Sequence, residues 1–417
     1  MTSCVPYPPS TDPIHPLIAA FAAGLLAGLS FSTSSPSPPP APATASCGES
    51  DSSSSPRAHF EAGTRASTPS TAPSTPASSL GSPSLESDAA SLPYTSSALE
   101  ETQYLKLAHS VIEQGELRSQ VKGGTGARAI FAPDPLRFSL SRPVDPSNLF
   151  SPLENVIPLL TSKRMPFGVI REEFAWMVRG ETNAKVLEVM GVKVWTENSS
   201  RDYLDSRGLE HLEEGDIGPA YGFQWRHAGA QYRGCEADYQ GEGVDQLARL
   251  VRSLLETPQK RKHVLVAWSP ADVDNMAVPP CPILHQFYLH EPVLSLLPVQ
   301  PKPRLSCVVY QRSADICLGL PFDLVNAALL THLIAHMTGS VADQLTYVIG
   351  DAHVYLDHEP ALREQFARPL VHDFPTVSFA RSREEIERDG GFDSIVGEDF
   401  KLGKYEAAPK LSFKLHP

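Results

Sequence analysis

Basic residues are in deficit. Thirty-five Lys and Arg stand against 48 Asp and Glu in 417 residues, a formal net charge of −13. A surface of that sign repels polyanions, so nucleic acid is excluded as a general partner. A small anionic substrate stays compatible if cations are focused in a cleft. Cysteine is scarce too. The six, Cys4, Cys47, Cys235, Cys281, Cys307 and Cys317, include no C-x-x-C pair. That excludes a dense disulfide scaffold and a thiolate zinc centre, and suits a reducing compartment. No metal is expected. The cytoplasm is the expected location, with nucleus and mitochondrion as alternatives. No Lys or Arg precedes Arg57. The apolar run Leu17 to Phe31 therefore lacks the basic flank of a signal peptide and the Arg of a mitochondrial presequence. It is also shorter than the ~20 residues of a membrane span. An anchor, a disordered tail and a misplaced start codon are the readings of this run. The tail is favoured, and a membrane partner is not expected.

What is present divides in two. Residues 1–95 are runs of Ser, Pro, Thr and Ala with too little bulky apolar material to offset their ordering entropy, the composition of a disordered tail. Residues 96–417 have the periodicities of an α+β domain. Leu99 to Gln114 is predicted as an amphipathic helix, Val244 to Glu256 as a second, and Val325 to Met337 as a buried helix closed by Gly339. His263 to Trp268, His285 to Leu289, Leu305 to Gln311 and Tyr347 to Ile349 read as strands. The Pro-rich segments 142–157 and 291–302 read as surface insertions.

One thiol stands out. Cys281 follows Pro279-Pro280, two residues that fix the backbone. A thiol attacks well only when its thiolate is favoured by cations or a helix end. Alone, Cys281 reads first as a small core residue and only second as a nucleophile. Three segments change that weight. They are Tyr310-Gln311-Arg312-Ser313-Ala314-Asp315 with Leu318-Gly319-Leu320-Pro321-Phe322-Asp323, then Gly350-Asp351-Ala352-His353-Val354-Tyr355, and Gly215 to Arg226 around Tyr221. With these motifs in this order, Ser96 to Pro417 resembles the thymidylate synthase family.

The resemblance implies a twisted mixed β-sheet, packed back to back across a homodimer with helices outside. It implies transfer of a one-carbon unit from 5,10-methylenetetrahydrofolate to C5 of a pyrimidine deoxynucleotide. Cys281 would be the nucleophile at pyrimidine C6, splitting one hard step into easier ones. Glu173, before Phe174-Ala175-Trp176, would organise water and move protons at the base. Tyr221 would assist proton removal from C5. Gln311, Arg312, Ser313 and Asp315 would contact the nucleotide, with Lys122 at its phosphate. Arg261 and Lys262 would reach the phosphate from the second subunit. His353 and Tyr355 would hold the sugar 3′-hydroxyl. Trp195, Asn198, Asp315 and Gly319 would line the folate side.

Departures from the family pattern are informative. Asp323 replaces the Asn that reads the pyrimidine edge, and Pro282 replaces the His that follows the nucleophile and serves the C4 oxygen through water. A protonated Asp suits cytosine, donating to N3 and accepting from the amine, whereas an ionised one would set carboxylate against the carbonyl of uracil. These two changes favour dCMP over dUMP, with methylation and hydroxymethylation both open. Lys122 stands for a phosphate-binding Arg, Lys262 for another, and Ser269 for an Asn. Leu415-His416-Pro417 replaces the usual small aliphatic end, which implies a looser closing latch. The rivals are an ordinary thymidylate synthase acting on dUMP and a non-catalytic nucleotide- or folate-binding paralogue. A zinc deaminase is discarded, because its P-C-x-x-C needs a cysteine where Leu284 stands.

Overall fold

A computed structural model describes residues 96–119, 125–148, 151–290 and 302–416. The proposed tail 1–95, Lys122 and nearly all of the 291–302 insertion lie outside the described residues. The elements are α1 (Ser96–Gln114), β1 (Glu116–Arg118), β2 (Ala127–Phe131), β3 (Leu136–Ser139), β4 (Ser141–Pro143), β5 (Leu153–Asn155), α2 (Phe167–Val178), α3 (Ala184–Val189), α4 (Arg201–Ser206), α5 (Gly222–His227) and α6 (Gln246–Glu256). They continue with β6 (Val264–Val266), β7 (Pro282–His290), β8 (Arg304–Asp315), α7 (Gly319–Thr338), β9 (Val341–Tyr355), α8 (Glu359–Phe366), β10 (Val377–Phe379), α9 (Arg383–Asp389) and β11 (Phe400–Leu402).

Seven strands form a mixed sheet in the order β1-β2-β9-β8-β7-β6, with β3 also paired to the long β9. Among the described residues only β8 and β9 run parallel; the other pairs of this sheet are antiparallel. A parallel pair needs a crossover, and α7 supplies it. That helix is apolar nearly all round, so it buries Leu320, Leu324, Val325 and most residues on to Met337. Gly339 ends it with φ 68°, a left-handed cap that suits glycine. By length and composition α7 passes for a membrane span, yet it packs against β8, β9 and α2 in the core. α6 is the amphipathic case. Asp245 caps its first turn through the Ala248 amide, and Leu247, Leu250, Val251 and Leu254 face inward.

Two expectations change. Segment 142–157 is not wholly a surface insertion. β4 pairs with β5, and Val156 and Ile157 beyond them are in the core. Three of the strands are also longer than read, β9 most of all, whereas the one read from His263 to Trp268 is confined to Val264–Val266. At β7 the register slips. Pro282 pairs with Gln311 but Leu284 with Tyr310, so three residues of β7 span two of β8. This is a bulge with Ile283 as the extra residue. The carboxyl ends of β8 and β9, paired at Asp315 and His353, open beside the start of α7. Ligands favour such strand ends in sheets with parallel pairs.

Candidate active site

Cys281 immediately precedes β7 and is held by its backbone. Its amide donates to the Tyr221 hydroxyl at 3.1 Å. Its carbonyl accepts from the Arg312 amide at 2.8 Å. The Arg312 guanidinium turns back on the two prolines before it, Nε donating to the Pro280 carbonyl at 2.9 Å and Nη2 to that of Pro279 at 2.6 Å. Arg312 also lies over the Trp268 ring, a favourable cation–π placement. Tyr221 has φ 40°. A bulky residue there is a backbone outlier, of the kind that surroundings must enforce. Burial pushes the Cys281 thiol up to about 11, with Asp323 adding to this while Arg312 and the Tyr221 hydroxyl oppose it. The resting group is therefore the thiol, and the thiolate is not preformed.

Opposite the thiol side stand two acids. Glu173 projects from α2 and is buried. Trp195 donates its indole N–H to Oε1 at 3.0 Å, and Asn326 donates to Oε2 at 3.4 Å. Burial raises Glu173 to about 7 against those two hydrogen bonds, close to the operating range of a general acid–base. Asp323 opens the second turn of α7. Gln311 donates to its Oδ2 at 2.7 Å and to the Ser313 carbonyl at 2.8 Å, while Tyr347 donates to Gln311 Oε1. Burial first, then the neighbouring Glu173, lifts Asp323 to about 8. At neutral pH it is mainly a neutral acid with one O–H to give.

Between these groups is a cavity of about 60 Å³, walled by Glu173, Trp195, Tyr221, Asp323, Asn326 and other side chains that include Trp225, Pro282 and His285. The Trp195 ring meets Tyr221 edge-on at 5.4 Å. Asp315 accepts from the Cys317 amide at 2.8 Å. A methyl placed on Gly319 would stand 3.8 Å from Asp315 Cβ and 3.9 Å from Asp323 Oδ2, so these three residues are neighbours. His353 contacts Asp351 at 3.1 Å and meets the Tyr355 ring edge-on.

Residues 102–416 match the family model described as thymidylate synthase. The chain is 44% identical over 318 residues to thymidylate synthase from Agaricus bisporus, covering 76% of this chain and 99% of that one. It is 41% identical over 316 residues to thymidylate synthase from Saccharomyces cerevisiae, covering 76% and 97%. With the Homo sapiens thymidylate synthase the figures are 39% over 315 residues, 76% and 90%. The chain belongs to the thymidylate synthase family.

As a thymidylate synthase family member it is a one-carbon-transferring methyltransferase. Tyr221, Glu173, Trp195 and Asp323 line one cleft, and Cys281 is joined to it through the Tyr221 hydroxyl. Both Gln311 N–H groups are committed inside the protein, so its evident work is to hold Asp323. Arg261 and Lys262 are exposed ahead of β6 and join none of the groups around Cys281. Asn198 is buried close along the chain from Trp195. The sequence reading missed Asn326, one α7 turn beyond Asp323, where the i, i+3 spacing was an available signal. It also missed Lys163, which is buried, donates to the Cys317 carbonyl and is lowered by burial to about 8. His285 was read only as the start of a strand.

Proposed function

We propose that the protein methylates C5 of dUMP, giving dTMP. The observation carrying this reading is the Tyr221 hydroxyl bonded to the Cys281 amide, with Glu173 and Trp195 joined across the same cleft. The three relatives above all bear the name thymidylate synthase. Cys281 Sγ adds to C6, and the C5–C6 π pair moves to C5, which becomes the nucleophile. The Cys281 proton must leave as the bond forms, because the resting thiol is neutral. When bound, 5,10-methylenetetrahydrofolate supplies the one-carbon unit and a hydride and leaves as dihydrofolate. The Trp195 face and the Asp315–Gly319 corner fit its ring system, with Asn198 nearby. Tyr221, packed between Trp195 and Cys281, is placed to take part in loss of the C5 proton, and the C6–Sγ bond breaks as the hydride completes the methyl group, which returns Cys281. Arg312 and Ser313 bind the phosphate, and His353 and Tyr355 the sugar. A second copy contributes Arg261 and Lys262. The outer sheet face presents exposed Tyr288, Val308 and Tyr310, apolar surface suited to a sheet-to-sheet partner.

A second reading, dCMP as substrate, is favoured by Asp323 itself. As a neutral acid it donates to cytosine N3 and accepts from the amine. The same neutral acid donates to uracil O4 and accepts from N3–H. Its raised pKa thus removes the objection to uracil, which required an ionised carboxylate. Mass spectrometry of products from dUMP and dCMP, each with 5,10-methylenetetrahydrofolate, tests both. The lead reading expects dTMP from dUMP as the faster reaction. Faster conversion of dCMP, to a methyl or hydroxymethyl product, would replace it.

A further inference from the structure

We propose that His285 is a positioning residue of this active site. It holds water against Glu173 at the exocyclic C4 end of the pyrimidine, in place of the imidazole that Pro282 lacks. The inference rests on the reading of function above.

Spacing along a strand argues against such a role. Residues three apart on a regular strand face opposite sides of the sheet. The bulge at Ile283 reverses this. Pro282 pairs with Gln311 and His285 with Val309. Gln311 and Val309 lie two apart on β8 and are both buried, so they share its inner face. Their β7 partners share that face as well. Accordingly, Pro282 and His285 wall the same cavity, together with Glu173, Asp323 and Asn326.

The cavity's polar inventory is incomplete. His285 is 3% exposed, and its Nδ1 finds no hydrogen-bond partner among the protein groups. The same holds for Trp225 Nε1 and Asn326 Oδ1, both on residues of this wall. Trp225 meets the His285 ring edge-on at 5.8 Å. One obligate donor, one acceptor and one imidazole that can be either are thus collected in one place. Leaving three such atoms unpaired is costly. A volume of about 60 Å³ exceeds what one water needs, and a water bonds two to four polar partners. Burial lowers His285 to about 4, so the imidazole is neutral and keeps one donor and one acceptor. Asp323, on the same wall, touches the base edge in the proposed reading. Water beside it relays between Glu173 and the substituent at C4.

The test is steady-state kinetics with dUMP and dCMP on the full-length homodimer. His285→Phe should lower kcat roughly 10²-fold, the low end for a group that handles a proton, with KM little changed. His285→Gln, which keeps a donor and an acceptor, should recover part of the loss. Adding Pro282→His to His285→Phe should recover kcat as well, because the imidazole returns to the same wall. If His285→Phe or His285→Gln melts higher and keeps kcat within about twofold, the residue is structural and the inference fails. Failure of Pro282→His to restore any turnover to a folded His285→Phe enzyme would also overturn it. A wild-type enzyme inert toward both nucleotides would instead refute the functional reading, and this inference with it. An active wild type with an indifferent His285 sinks the inference alone.

Discussion

The two ends of the cleft are built differently. At the thiol end the backbone of Cys281 is bonded on both sides, to Tyr221 and to the Arg312 amide. The Arg312 side chain fastens the two prolines before it. At the base end three buried polar atoms, on Trp225, His285 and Asn326, have no protein partner, and two acids are held near neutrality by burial. In the proposed reaction the nucleophile is thus preorganised by the protein's own bonds. Recognition at the base is left for substrate and solvent to complete. Two of the departures from family pattern, Asp323 and Pro282, fall at that end.

The comparison can be broken from either side. Cys281→Ser should reduce product formation by ~10³-fold or more, the loss expected on removing a nucleophile. Turnover above that ceiling, measured by mass spectrometry of the nucleotide, would place the chemistry elsewhere. Glu173→Gln should cost about 10²-fold in kcat. It should also flatten the pH profile near 7, where the native carboxyl exchanges its proton. A profile still inflected there would assign that ionisation to another group. Asp323→Asn tests the reading end. The ratio of kcat/KM for dUMP over dCMP should rise by ~10-fold or more at pH 9, since an amide cannot ionise and set a carboxylate against the uracil carbonyl. An unchanged ratio would remove Asp323 from base selection. The smallest effect concerns pH. Asp323, raised to about 8, is neutral below that pH and ionised above it. The kcat/KM of Asp323→Asn relative to wild type should therefore climb roughly tenfold from pH 7 to 9. A flat ratio would mean that the proton on Asp323 is not used.

Much of this was legible in the sequence because long motifs carried it. Cys281, Glu173, Tyr221, Trp195 and Asp323 are scattered along the chain and converge in space. The errors have physical causes. β9 was read as Tyr347 to Ile349 because Asp343, Gln344 and Gly350 interrupt its β-branched run, yet hydrogen bonding to β2, β3 and β8 carries it through them. α7 was read from Val325 because Gly319 and Pro321 look like loop residues, although proline is tolerated in a first helical turn. Segment 142–157 was read by its proline content, which concealed the buried Val156 and Ile157. His285 escaped because facing was counted in residues. A bulge is a property of pairing with another strand, and one strand's sequence does not display it. The protonation of Cys281 is likewise hidden from sequence. Nearby cations are visible in sequence, but the burial that outweighs them is not.

The backbone of Tyr221 sets stability and catalysis against each other. Its conformation, with φ 40°, is one that glycine adopts freely, and holding a bulky residue there costs about 1–3 kcal/mol. A glycine would relax the loop and carry no hydroxyl for the Cys281 amide. It would also forfeit the ring packed on Trp195, so the contact that enforces the strained loop is the same one that presents the thiol.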